Sequence, residues 1–170
     1  MQTFQFALLL IFPALVVVAA LKDVTSYTIP NWISLALIVA FAPVALFSGA
    51  SLATMGLCLA AGLVALLVGM GMFAAGWIGG GDAKLFAAAV LWLGWPAALP
   101  FMLVTGMAGG ALTLGILGLR SGWFEPVLAG SPAWLRKLGA QGGDIPYGVA
   151  IAVGALAAFP QGALALAVGG

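Results

Sequence analysis

The sequence predicts an all-α polytopic membrane protein, a six-transmembrane-helix bundle with no soluble domain, on three observations. Of its 170 residues, 65% are hydrophobic and only 5% charged, with a mean hydropathy of +1.26, where an ordinary soluble domain is about 25% charged. The apolar residues fall into runs suited to the roughly 20 residues a helix needs to cross a hydrocarbon core about 30 Å thick. The few charges fall in alternate intervals between those runs.

The spans are expected at about 4–21, 32–48, 52–76, 83–95, 97–119 and 147–168, in a single membrane-embedded domain covering 1–170. The first is read as a retained helix: Val18-Ala19-Ala20 resembles a small-residue cleavage site, but MQTFQF carries no Lys or Arg to start a signal peptide. Pro30 and Asn31 set the entry to the second span. The fourth is short. From Asp82 to Trp95 a helix rises only about 21 Å, and Pro96 opposes a straight continuation. Asp82 is therefore expected below the headgroup level, in a cleft reached by water from one side.

Between the fifth and sixth spans lies the only sizeable loop, 120–146. Within it Ser131-Pro132-Ala133-Trp134-Leu135-Arg136-Lys137-Leu138 combines an N-cap, a proline at the first helical position and an apolar pair four residues apart, which predicts a short interfacial helix. Small residues spaced by four, Gly76 with Gly80 and Gly106 with Gly110, are expected to let helices pack closely.

Composition also excludes functions. A net charge of +1 without histidine supplies neither a basic field for nucleic acid nor an imidazole for catalysis. Cys58 is the sole cysteine and sits in an apolar run, so it reads as a packed core thiol, with no disulfide, zinc site or redox pair. No metal and no cofactor is expected.

Lys22, Lys84, Arg120, Arg136 and Lys137 all fall in alternate intervals, whereas the intervals around Ser48-Gly49-Ala50-Ser51 and Gly94-Trp95-Pro96 carry no cation. By the positive-inside rule those cations face the cytoplasm, and both termini face away from it. The acids Asp23, Asp82, Glu125 and Asp144 share that side. Asp144 precedes Pro146 and is expected to cap the last helix.

Asp23 ends the first span and Asp82 opens the fourth, each hard against hydrocarbon. Asp82 alone fits a helix cap. The preceding Gly79-Gly80-Gly81 does not follow from capping, because a glycine triplet costs backbone entropy and needs protein or water around it in a membrane. It suits close approach by an extended peptide. Two carboxyl groups near enough to share one proton can act as acid and base on a water molecule, with neither a metal nor a covalent intermediate. Lys84, two positions after Asp82, either favours an ionised carboxylate through space or marks the membrane boundary.

Gly79-Gly80-Gly81-Asp82 matches the GxGD signature of intramembrane aspartyl proteases, and GGGDAKL resembles the second catalytic motif of type IV prepilin leader peptidases. The first motif of that family, an aspartate followed shortly by Ile-Pro-Asn, is similar to the stretch from Lys22-Asp23 to Ile29-Pro30-Asn31. Ile145-Pro146-Tyr147-Gly148-Val149-Ala150 is similar to the stretch opening the family's last helix. The resemblance implies that Asp23 and Asp82 are a catalytic pair, with Gly79, Gly80, Gly81, Lys84, Pro30 and Asn31 in supporting or substrate-binding roles. It implies an aspartic endopeptidase of the bacterial inner membrane that removes the short basic leader from prepilins at the cytoplasmic face. Its expected partners are the precursor, the lipid bilayer and other pilus-assembly proteins, and not nucleic acid. The chain has no CxxC and so resembles the short, peptidase-only branch associated with tight-adherence (Flp) pili, which implies no N-methyltransferase. The rival reading is a proton- or ion-coupled transporter or channel subunit that uses the two aspartates as a relay. Such sites commonly lie near the bilayer midplane.

Overall fold

Apolar helices account for most of the chain in the computed structural model, which describes residues 2–121, 130–140 and 143–169. In chain order they are α1 (Gln2–Leu9), α2 (Ile11–Ser26), α3 (Asn31–Phe47), α4 (Leu52–Ala74), α5 (Gly80–Leu119), α6 (Ala133–Gly139), α7 (Tyr147–Ala158) and α8 (Ala163–Gly169). Among the described residues there is no strand. Four segments among the described residues are long and apolar enough to cross a membrane, namely Thr3–Ser26, Leu52–Ala74, Gly80–Leu119 and Tyr147–Gly169, while Asn31–Phe47 is apolar but shorter.

The first segment is nearly continuous, with a joint at Leu10. Pro13 has no N–H to offer the carbonyl of Leu9, and the helix resets there. It then runs on to Ser26, five residues beyond the expected end at 21, so Asp23 lies inside the helix and not after it. Tyr27 closes α2 in the left-handed conformation (φ 54°) and donates its N–H to the Asp23 carbonyl at 2.8 Å.

Helix α5 contains the main departure from the expected boundaries. It begins at Gly80, not at 83, and Gly94 within it has φ 67° and ψ −175°, a region open essentially to glycine alone. The chain reverses there. In a straight helix Phe86 and Phe101 would stand about 22 Å apart, yet their rings stack at 4.8 Å. The two limbs, 80–93 and 95–119, therefore fold back on each other. Pro96 falls in the first turn of the second limb, where its missing N–H does no harm, so the break lies at Gly94 and not at the proline.

Gly94 also permits packing. A Cβ there would stand 2.8 Å from Cys58 Sγ and 2.9 Å from Ala163 Cβ. Cys58 is buried, as its apolar surroundings in the sequence imply. Nearby, Trp92 stacks on Phe12 at 5.5 Å and meets Phe41 edge-on at 6.4 Å. Its indole N–H donates to the Leu37 carbonyl at 2.8 Å, satisfying a polar group that lipid could not.

The last apolar segment is interrupted. Pro160 lies in a 3₁₀ turn, Phe159–Gln161, between α7 and α8. The short helix expected over 131–138 is present as α6. Of the expected glycines only Gly80 packs closely against another helix, meeting Phe73 of α4; other close approaches include Gly62 with Leu91, Gly69 with Ala83, and Gly154 with the α5 backbone at Phe101 and Thr105. Gly106 and Gly110 have nothing within 4 Å of an added Cβ, and Gly76 is required for its positive φ of 74° instead. Glu125 lies outside the described residues.

Candidate active site

Asp23 is held by a helix distant in sequence. Its carboxylate is buried, with 6% exposure, and its Oδ2 accepts the Gly148 backbone N–H at 2.7 Å. Gly148 is in the first turn of α7, whose N-cap residue, Pro146, supplies no side-chain cap. An α-helix leaves its first N–H groups unpaired and carries partial positive charge at that end. Asp23 of α2 thus caps α7 from outside. Glycine is required at 148, since a Cβ would stand 2.8 Å from Asp23 Oδ2 and 3.0 Å from Asp23 Cβ.

Asp82 is the third residue of α5, whose N-cap is Gly79 in an extended conformation. It is not the cap itself. Its carboxylate interacts with the Gly79 backbone N–H, and a Cβ at 79 would stand 2.8 Å from Asp82 Oδ2. The other oxygen, Oδ1, is buried and has no hydrogen-bond partner among the described residues. Most buried polar atoms find a partner, so this oxygen is left for a proton, a water molecule or a substrate group.

Asp23 and Asp82 line the same cavity, of about 490 Å³. Tyr27, Trp77, Asp144 and Tyr147 line it as well. Asp144 is exposed, so the cavity opens to the surface. Burial lifts the Tyr27 phenol above its usual range; the Arg120 charge opposes this, and the charges of Asp23 and Asp144 add to it. Tyr27 therefore remains a neutral hydroxyl at ordinary pH. Two carboxyl groups around one water-accessible space can activate water and protonate a leaving group.

The remaining expected residues separate clearly. Of the glycine triplet only Gly79 lines the cavity. The side of Gly80 faces the Phe73 ring at 3.3 Å, and that of Gly81 faces Ile29 Cβ at 3.1 Å. On those sides both are therefore packed against the protein itself. Lys84 donates to Asn31 Oδ1 at 2.9 Å, clamping the start of α3 to the N-terminal part of α5. Pro30 is the extended N-cap residue of α3.

Asp144 does not cap the last helix: Pro146 holds the N-cap position, and the side chain that accepts from the helix's first turn is that of Asp23. Asp144 instead faces the cavity, while its carbonyl accepts from Arg120 Nη2 at 3.2 Å. Arg120 Nε also donates to the Leu138 carbonyl at 3.0 Å, joining the end of α5 to α6. Gly148 is legible in the sequence only as part of the Ile145–Ala150 stretch. Nothing there shows that its N–H reaches Asp23.

Compared with known proteins, residues 10–114 match the type IV leader peptidase family. Neither curated proteins nor solved structures gave a significant match.

Proposed function

The chain belongs to the type IV leader peptidase family, and we propose that it is an aspartic endopeptidase in which Asp23 and Asp82 jointly activate water. Its proposed substrate is a type IV, Flp-like pilin precursor, cut at the cytoplasmic face of the inner membrane to release the short basic leader. Six crossings, with α5 counted as two limbs and both termini outside the cytoplasm, complete the proposal. The product's new N-terminus is left unmethylated.

The observation that carries this reading is that two carboxyl groups from separate helices border one cavity. Each is set at a helix terminus, Asp23 against Gly148 and Asp82 in the first turn of α5. In the reaction one carboxylate takes a proton from water as the water oxygen attacks the peptide carbonyl. The other, protonated, carboxyl gives its proton to the carbonyl oxygen. As the tetrahedral intermediate collapses, the amide C–N bond breaks, the departing amine is protonated by the first carboxyl, and one hydroxyl of the intermediate returns its proton to the second carboxylate as the new carbonyl forms. A new carboxyl and a new amino terminus result, and the two aspartates end with one proton between them, as they began.

Incubating the detergent-purified protein with a pilin precursor, followed by mass spectrometry of the products, tests the proposal. Asp23→Asn and Asp82→Asn each preserve side-chain shape and remove a titratable proton, and each is expected to abolish cleavage in a protein that still folds. Cleavage by either variant at the parent rate would rule out the pair.

A further inference from the structure

Ile29 touches the supports of both aspartates. It is buried, in the turn between α2 and α3. On one side its Cβ stands 3.1 Å from where a Cβ of Gly81 would lie, and its carbonyl oxygen 3.4 Å. Gly81 immediately precedes Asp82. On the other side its Cδ1 stands 2.9 Å from where a Cβ of Gly148 would lie, and Gly148 donates to Asp23. The side chain is thus wedged between the backbone that carries one aspartate and the backbone that orients the other.

The wedge is itself fixed. Pro30 restricts Ile29 to extended backbone, Tyr27 ties the start of the turn to the Asp23 carbonyl, and Asn31 ties its end to Lys84 on α5. Packed interiors transmit displacement of a side chain to their neighbours. Resting on the peptidase reading, we propose that Ile29 is a positioning residue that sets the separation of Asp23 and Asp82, that Gly81 is a glycine because this residue fills the space beside it, and that Gly148 is one because Ile29 and Asp23 together do so.

The test uses full-length protein with two readouts. In the first, Ile29→Val, which removes Cδ1 alone, and Ile29→Ala are assayed for precursor cleavage. A displacement of about 1 Å from a reacting geometry costs on the order of 10²-fold in rate. The expected result is a several-fold fall in kcat for Ile29→Val and about a hundredfold fall for Ile29→Ala, with KM within about twofold of the parent. In the second, Asp23→Cys and Asp82→Cys are combined in a Cys58→Ala background and treated with bifunctional thiol reagents of graded length. The expected result is a sharp optimum of cross-linking span that broadens or lengthens when Ile29 becomes alanine.

Unchanged kcat and an unchanged span optimum in Ile29→Ala would overturn the spacer role. A rise in KM alone would overturn it too, by placing Ile29 against substrate. Should the parent protein show no peptidase activity, the proposed function fails while the cross-linking span still decides the spacer. Should Ile29→Ala fail to fold, Ile29→Val carries both readouts.

Discussion

Replacing Gly148 with alanine places one methyl group where there is no room. The added Cβ would meet Asp23 Oδ2 at 2.8 Å, Ile29 Cδ1 at 2.9 Å and Asp23 Cβ at 3.0 Å. Cβ contacts under 3.0 Å essentially do not occur, so Ile29 and either Asp23 or α7 must shift. A shift of Asp23 or α7 is expected to lengthen or break the 2.7 Å bond from the Gly148 N–H to the buried carboxylate. A hydrogen bond to a charged group contributes about 1.5–3 kcal/mol, and each 1.36 kcal/mol is tenfold in rate. The expected loss in kcat/KM is therefore about 10- to 150-fold, from this bond alone. The assay is initial-rate cleavage of a pilin precursor by purified Gly148→Ala protein, with thermal unfolding in detergent to establish that it is folded. Gly56→Ala is the control, since nothing lies within 4 Å of a Cβ there. Its rate should match the parent. A folded Gly148→Ala protein that cleaves within about twofold of the parent would show that the contact with Asp23 plays no part in the reaction, and with it the account of how Asp23 is oriented would fall.

Other consequences are as direct. Lys84→Met removes the donor to Asn31 Oδ1 at an exposed site; such surface interactions contribute about 1 kcal/mol or less, so cleavage should fall no more than about fivefold, and a hundredfold loss would instead put Lys84 at the reacting atoms. Gly94→Ala must hold a side chain at φ 67°, at a cost of about 1–3 kcal/mol, and must also crowd Cys58 Sγ and Ala163 Cβ, about 1–3 kcal/mol more. A marked fall in the thermal midpoint is expected, partly relieved by Cys58→Ala, and an unchanged midpoint would contradict the reversal at that residue.

Asp82 and its glycines illustrate how much a linear chain of residues discloses. A carboxylate beside three glycines in so apolar a chain stands out on cost alone, and apolar runs of spanning length are visible without knowledge of what they pack against. The same holds for Cys58, whose apolar flanks already imply burial. Charge position is equally local: counting crossings assigns Asp23 and Asp82 to the same side of the spans. Helix ends are less legible. Residue order puts Asp23 beyond its helix, but Ser26 and Tyr27 extend and close it. Pro96 is the residue whose chemistry opposes continuation, yet a proline is tolerated in a first turn and only the torsions of Gly94 locate the break.

Asp144 and Gly148 belong to the other kind of information. On sequence Asp144 is a cap for the helix that follows it, because nothing nearby competes for it; in the fold that helix takes its external cap from Asp23, and Asp144 turns to the cavity. Composition, periodicity and the spacing of acids, glycines and cations determine that this chain is a helical membrane protein with two acids worth pairing, because each of these is a property of a residue and its immediate neighbours. That Asp23 receives its hydrogen bond from Gly148, that Ile29 lies between Gly81 and Gly148, and that Lys84 donates to Asn31 were decided only by tertiary structure, because each depends on which helix ends meet.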